Sequence, residues 1–392
     1  MRILWFPRLQ FDIDKLHITT WREMYNELQN VGISVKIAVG GKDTDRILNI
    51  PYIRIPIFRI KFLRILTFWI SGYLKFLINF YLFKPDVVIL DVYSVWFSFP
   101  FRLISKGRCL FILDNRTPQH DFPYQSAIRS YIMEFYTKMA FLYCRYFLDG
   151  ITVINRFYKE QVCADYKFKD IDIGIWGSGV NTALFSPEKY ILLEKPQFLK
   201  DKFILMLHGT FTFNRGLFEL IDAMRLLKNN DIVLVLIGDG VAKDAITQKI
   251  EGSNLQKRVY VLSALSYERM PEYISFCDCA IMAYPNNEYW NHNSPIKLIE
   301  YFAMGKVVIC TDIQSFKDIA GDRKCAYYIA DNSQELILKA IGHCYENRML
   351  LKDWGKQGLE VVKNRYTWAR QADNLLKYIK QLQDRANIGK IK

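Results

Sequence analysis

The chain has 392 residues, of which 51% are hydrophobic and 15% aromatic. That apolar supply excludes a mainly disordered chain, and the length leaves room for about two to three domains. Lys and Arg total 53 against 40 Asp and Glu, a net charge of +13, which calls for an anionic partner: nucleic acid, a phosphorylated ligand or an acidic membrane surface. The eight cysteines are too sparse for a disulfide scaffold. Their one close pair, Cys277 and Cys279, is a CxC inside an apolar run, so buried thiols in a reducing cytoplasm are expected. The opening MRILWFPRLQFDIDK is too short in its apolar stretch for a signal peptide. The histidines at 17, 120, 208, 292 and 343 show no metal-ligand spacing, so no metal is expected.

In chain order, MRILWF reads as a strand, TWREMYNELQNVG as a helix ending at Gly32, and SVKIAVGG as a second strand. FRIKFLRILTFWISGYLKFLINFYLFKP is a long helix leading into PDVVILDVYS, a continuous apolar run of the kind that a buried parallel strand shows. CLFILD is another strand, residues 126–148 a long helix and GITVIN a further strand. Residues 186–202, with two prolines and many charges, read as a linker. The alternation then restarts: FILMLHG, IVLVLIGDG, VYVLS, CAIMAY and KVVICT as strands, LFELIDAMRLL and PIKLIEYFAMG as helices. Alternating strands and helices predict two α/β, Rossmann-like, doubly wound parallel-sheet domains facing across a cleft. The expected division is 1–185, completed by a C-terminal helix over 366–392, and 203–365.

Charge is uneven along the chain. Residues 51–108 hold nine basic side chains (54, 59, 61, 64, 75, 84, 102, 106, 108) and two acids, Asp86 and Asp91. On the long helix Lys61, Arg64, Thr67, Ser71, Lys75 and Asn79 step by three or four and form one narrow polar stripe. Three readings follow: a transmembrane span, which Lys75 opposes; a helix enclosed in the protein interior; or a helix resting on anionic lipid through 54–84. Nucleic acid is not expected, because no zinc finger, RNP-like aromatic string or isolated basic tract is present.

Ligands of open α/β sheets bind at the carboxyl ends of the strands. After FILMLH, Gly209 ends the strand and Arg215–Gly216 opens a helix, whose free N–H groups and dipole suit a phosphate, with Arg215 adding a fork of donors. In NNEYWNHNSPIKLIEYFAMGK, Ser294 reads as the N-cap, Pro295 as the first helical residue and Gly305 as the terminator. Glu300 sits one to two turns in, where a carboxylate can accept two hydrogen bonds from the vicinal hydroxyls of a ribose. The bland alternatives are a surface Arg before a helix and a solvated helix Glu.

These segments, together with GSGVNTALFSP, VLIGDG and VYVLSALSYERMPEYISFCDCAIMAY, make residues 174–320 resemble the retaining GT-B glycosyltransferases of family 4, the group 1 glycosyltransferases. SPIKLIEYFAMGK is the most specific piece. The resemblance implies that Arg215 binds the donor diphosphate and that Glu300 grips the ribose. It also implies that amides around Ser294, Pro295 and Ile296 meet the phosphates, and that the nucleobase lies against Val261 and Leu262. The family usually needs no metal or other cofactor. Three departures stand out. His292 replaces the first Glu of the family's Glu-x7-Glu pair, which blurs the donor's identity. Thr210 replaces the Arg that usually follows Gly209, leaving Arg215 with more of the phosphate charge. PRLQFDIDKLHITT lacks the usual paired glycines.

In the first half, CLFILD is followed by NRTPQHDF, so Asp114, Arg116, His120 and Asp121 cluster in one loop. The resemblance makes Arg116 or His120 a neighbour of the reacting sugar; the alternative is polar residues capping the next helix. The expected activity is retaining transfer of a sugar from a nucleotide-diphosphate sugar to a glycan or lipid-linked acceptor. Surface polysaccharide or glycolipid synthesis, in the cytoplasm or on the inner membrane face, is the expected setting. The rival readings are a non-hydrolysing sugar-nucleotide 2-epimerase and a non-catalytic nucleotide-sugar-binding subunit of a membrane assembly.

Overall fold

The computed structural model describes residues 1–7, 15–40, 50–57, 61–105, 108–116 and 127–391. They fall into two compact units, residues 1–178 with 292–294 and 368–392, and residues 179–291 with 295–367.

The first unit is built on seven strands: β1 (Arg2–Phe6), β2 (Ser34–Gly40), β3 (Tyr52–Ile55), β4 (Val87–Leu90), β5 (Leu110–Asn115), β6 (Gly150–Val153) and β7 (Ile173–Ile175). Their order is β3-β2-β1-β4-β5-β6-β7, and every neighbouring pair is parallel. This is the doubly wound order that reverses beside β1. Parallel strands need both faces covered, which is why β1, β4 and β5 are nearly continuous apolar runs. On one face Trp5, Ile37 and Ile89 pack with Trp21 and Met24 of α1 (Lys15–Asn30) and Leu375 and Ile379 of the C-terminal helix. On the other, Leu4, Val88 and Phe111 meet Phe76 of α2 (Lys61–Phe83), Phe101 of α3 (Phe99–Ile104), Phe141 of α4 (Ala127–Phe147) and Tyr158 of α5 (Arg156–Tyr166).

Helix α2 corrects the enclosed-helix reading. Phe68, Gly72 and Phe76 are buried, while Leu66, Ile70 and Leu74, at 55%, 56% and 52% exposure, point outward. Thr67, Ser71, Lys75 and Asn79 of the polar stripe are half-buried, and three of them bond backbone: Thr67 Oγ1 donates to Leu63 O, Ser71 Oγ to Pro56 O at 2.6 Å and Asn79 Nδ2 to Lys75 O at 2.8 Å. Its segment Leu66–Phe83 is long and apolar enough to cross a membrane.

The second unit has six parallel strands, β8 (Phe203–His208), β9 (Ile232–Ile237), β10 (Val259–Leu262), β11 (Cys279–Met282), β12 (Val307–Thr311) and β13 (Ala326–Ile329), in the order β10-β9-β8-β11-β12-β13. Its helices are α6 (Leu217–Leu226), α7 (Lys243–Gly252), α8 (Met270–Phe276), α9 (Ile296–Ala303), α10 (Gln314–Ala320), α11 (Gln334–Glu346) and α12 (Leu351–Arg365). Residues 186–202, expected to form a linker, lie within this unit, with two short 3-10 turns and a buried Leu199.

The last helix, α13 (Trp368–Ile391), belongs to the first unit. Glycine makes that docking possible: a Cβ on Gly150 or Gly174 would overlap the Tyr378 side chain. Tyr378 Oη accepts the Ile151 N–H at 3.1 Å and donates to the Asp172 carbonyl, and Arg385 pairs with Asp172 at 2.9 Å. Gly174→Ala is expected to lower stability by about 1–3 kcal/mol through overpacking. In urea denaturation, combining it with Tyr378→Leu should cost less than the sum of the two single changes; strict additivity would contradict this packing.

Candidate active site

At the end of β8 the chain turns through Gly209, whose φ of +111° suits glycine and where a Cβ would run into the Lys297 side chain. The loop that follows is pinned to the turn after β9. Gly209 donates to Ile237 O at 2.8 Å, Phe211 to Asp239 O at 2.8 Å, and Ala242 returns a bond to Phe211 O at 3.1 Å. Phe211 is buried; Thr210 is exposed. The loop ends at Gly216, which caps α6 at φ +67° and sits so close to Ala283 that a Cβ would collide with its carbonyl oxygen. Arg215 is therefore delivered at the N-terminus of α6, its guanidinium 5.9 Å from the ring centres of both Tyr284 and Trp290. Its Nε and Nη1 are buried without a hydrogen-bond partner among the described residues. Buried donors are rarely left so, and an anion would satisfy them.

Helix α9 begins one residue later than expected. Pro295 is its cap with no side-chain cap bond, and Ser294 lies outside it. The chain bends away from helical geometry at Pro295 (ψ 76°), so proline takes the cap rather than the first helical position. The helix ends as the sequence predicts: Gly305 is left-handed at φ +64°, with Gly305 N–H to Phe302 O at 2.9 Å and Lys306 N–H to Tyr301 O at 2.9 Å, a Schellman closure.

Glu300 is 5% exposed, which removes the solvated-Glu alternative. Its Oε2 lies 2.7 Å from His208 Nε2, and His208 Nδ1 lies 2.8 Å from Tyr301 Oη, which also accepts the His208 backbone N–H at 3.0 Å. With the ring proton on Nε2, His208 donates to the carboxylate and leaves Oε1 without a partner among the described residues. Lys297, three residues earlier on the same helix, reaches Tyr284 Oη at 3.3 Å. Burial, and then the nearby Arg215 cation, hold its ammonium well below the usual lysine range, with Glu300 opposing the shift. Sequence reasoning missed both His208 and Lys297. The i, i+3 spacing of Lys297 and Glu300 was a usable signal for the second.

Gly209, Thr210, Arg215, Pro295, Ile296 and Glu300 thus belong to one group of strand-end and helix-start segments in the second unit. Val261 and Leu262 lie at the end of the edge strand β10, where Leu262 O accepts the Gly238 N–H at 3.0 Å. His292 and Ser294 cluster instead with the first unit. The His292 ring lies 6.0 Å from that of Tyr158, and the neighbouring Asn293 carbonyl accepts from Asn155 Nδ2 at 3.1 Å.

In the first unit, Asp114 at the end of β5 accepts from Thr152 Oγ1 at 2.7 Å and Trp176 Nε1 at 3.1 Å. Arg116 stacks 3.5 Å over the Trp176 ring and donates to the carbonyls of Trp176 and Gly177 at 3.0 and 3.2 Å. Both side chains are tied into the fold rather than free for a ligand. His120, with Asp121, lies outside the described residues. Burial pushes the Asp114 carboxyl up to about 6, against the pull of Arg116. Since its folded proton affinity exceeds the unfolded one, its contribution favours folding at low pH and is lost as pH rises from about 4 to 6, to the extent of about 3 kcal/mol. Urea unfolding across that window should show Asp114→Asn lacking this decline; parallel profiles would refute it.

Comparison with known proteins places this site in context. Residues 191–361 match the family model of glycosyl transferases group 1. An uncharacterized glycosyltransferase of Methanocaldococcus jannaschii is 22% identical over 238 residues, 60% of this chain and 59% of the relative. The N-acetylgalactosamine-N,N'-diacetylbacillosaminyl-diphospho-undecaprenol 4-alpha-N-acetylgalactosaminyltransferase of Campylobacter jejuni is 27% identical over 183 residues, 46% of this chain and 47% of the relative. The chain thus matches only about half the length of these curated relatives. Sucrose-phosphate synthase of Thermosynechococcus elongatus superposes with a TM-score of 0.75 at 15% identity, covering 97% of this chain and 99% of that one. Anabaena HepE, solved with UDP-glucose, gives 0.69 at 13% identity over 97% and 99%. The two parallel sheets of seven and six strands are the α/β architecture of GT-B proteins. Residues 191–361 are thus similar to the glycosyl transferases group 1 family, within a chain whose fold is of GT-B type.

Proposed function

We propose that the protein is a retaining, metal-independent glycosyltransferase of family 4 that moves a sugar from a nucleotide-diphosphate sugar to a hydroxyl of a glycan or lipid-linked acceptor. The observation that carries this reading is the Arg215 guanidinium at a helix N-terminus, its Nε and Nη1 buried without a partner among the described residues, with Lys297 and Glu300 in the same corner. Breaking the anomeric carbon–oxygen bond puts negative charge on the departing diphosphate. Arg215 and the N–H groups that open α6 and α9 are donors already in place to receive that charge, the largest electrostatic contribution available here. Glu300, held by His208, offers its other carboxylate oxygen to ribose hydroxyls. The acceptor hydroxyl attacks from the face the leaving group departs, and a diphosphate oxygen takes its proton. That HepE was solved with UDP-glucose, and that the Campylobacter relative is named for a diphospho-undecaprenol acceptor, supports a nucleotide-sugar donor and a lipid-linked acceptor.

The setting we infer is the cytoplasm, with the first unit resting peripherally on an anionic membrane through 54–84, in surface polysaccharide or glycolipid synthesis. The outward aliphatic face of α2 supports this, as do exposed Leu103 and Ile104 on α3 and Tyr131, Ile132 and Phe135 on α4. Lys84, Arg108, Lys138 and Arg145 are exposed in the same half of the chain, where they can meet anionic headgroups.

A thermal-shift screen of UDP- and GDP-sugars should single out the donor by its stabilisation of the folded state. With that donor and a lipid-linked acceptor, Arg215→Ala and Glu300→Ala should each reduce turnover about 10²-fold or more; near wild-type transfer by both would sink the assignment. In flotation assays the protein should bind phosphatidylglycerol vesicles far better than phosphatidylcholine ones. The pair Leu74→Ser and Ile78→Ser should abolish most of that binding while the thermal midpoint shifts little, these side chains being exposed. Vesicle binding unchanged by the pair would refute the lipid contact.

A further inference from the structure

We propose that Lys297 is a second diphosphate-binding cation, supplied by helix α9 in place of the basic residue that the β8 loop lacks at Thr210. The proposal rests on the nucleotide-diphosphate reading above and assigns the charge within that site. Thr210, exposed and uncharged, follows Gly209 directly. The side chain that lies against Gly209 instead is Lys297, close enough that any Cβ there would overlap its Cε and approach its Nζ to 2.8 Å. The glycine and the lysine are thus one device: absence of a side chain on the strand end admits a cation from another element.

Lys297 forms no ion pair among the described residues. Its one hydrogen bond is to the neutral Tyr284 hydroxyl at 3.3 Å. Glu300, the carboxylate whose charge acts on Lys297, is already engaged by His208 at 2.7 Å, while the other cation, Arg215, has two nitrogens unsatisfied. Around Lys297 the acting charges are the Arg215 cation and a carboxylate already committed to His208, which leaves the lysine short of negative charge. Burial and mutual repulsion depress the lysine's proton affinity, and both costs are relieved when an anion with two or more charges enters. A diphosphate presents separate oxygens to both cations; a monophosphate, attached at the ribose, presents one phosphate only.

The test is calorimetric titration with UDP, UMP, GDP and GMP. Wild type should prefer the diphosphate of its base over the monophosphate. Lys297→Met should lose about 10–100-fold in diphosphate affinity, the size of a charge-assisted hydrogen bond, and change monophosphate affinity less than about 3-fold. Lys297→Arg should restore most of the preference, which a purely structural role would not require. Should Lys297→Met fail to fold, Lys297→Gln serves in its place. A wild-type preference retained by the Met or Gln variant overturns the assignment of Lys297 alone. A wild type that binds none of the four nucleotides overturns the nucleotide reading and this proposal together.

Discussion

The second unit's site depends on backbone coming closer to its neighbours than a side chain would allow. At Gly216 nothing separates the first turn of α6 from the carbonyl of Ala283, and at Gly209 nothing separates the end of β8 from the stem of Lys297. These approaches decide where charge is placed. Arg215 precedes Gly216, so the position of α6 against the end of β11 fixes the guanidinium beside the Tyr284–Trp290 ring pair. The strands themselves are buried on both faces by apolar side chains, which makes the scaffold rigid, and the polar groups are confined to its carboxyl ends, where open α/β sheets bind ligands.

Within that corner the polar groups divide into a satisfied set and an unsatisfied one. Tyr301, His208 and Glu300 form a closed chain of short hydrogen bonds linking α9 to β8. It orients the carboxylate from one side, and each donor in it has an acceptor. Arg215 and Lys297 are the opposite case, desolvated cations with few partners. A protein that only needed stability would gain by replacing them with apolar residues of similar size. Keeping them with so few partners makes sense when a ligand completes the arrangement.

Much of this was legible from the chain alone, for identifiable reasons. Continuous apolar runs such as VVIL, LFIL and IVLVLI can only be buried strands between turn signals, and the Gly305 stop followed from the pattern of α9. The short strands YIRI, IGI and AYYI carried too few residues for a period to show, and all three are sheet edges. His208 and Glu300 are 92 positions apart, so no local spacing could announce their pairing. The cap of α9 was misplaced by one residue because Ser and Pro both suit helix starts, and only the backbone angles at Pro295 choose between them.

Helix α2 shows the same division between pattern and packing. Apolar over most of its circumference, it gave no sign of which apolar side faces the sheet. Size decides it: Phe68 and Phe76 flank Gly72, whose lack of a side chain lets the Phe97 ring seat against the helix, and the slimmer leucines and isoleucines are left outside. In water that is the costlier arrangement, since each such half-exposed side chain forgoes about half of the 1.5–3 kcal/mol of full burial. Against hydrocarbon the cost vanishes. The bonds from Thr67, Ser71 and Asn79 to backbone carbonyls then acquire a reason, because they satisfy on protein acceptors the hydroxyl and amide groups that water would otherwise serve. Aliphatic side chains displayed outward, with Thr67, Ser71 and Asn79 bonded to backbone, are what the proposed lipid contact requires.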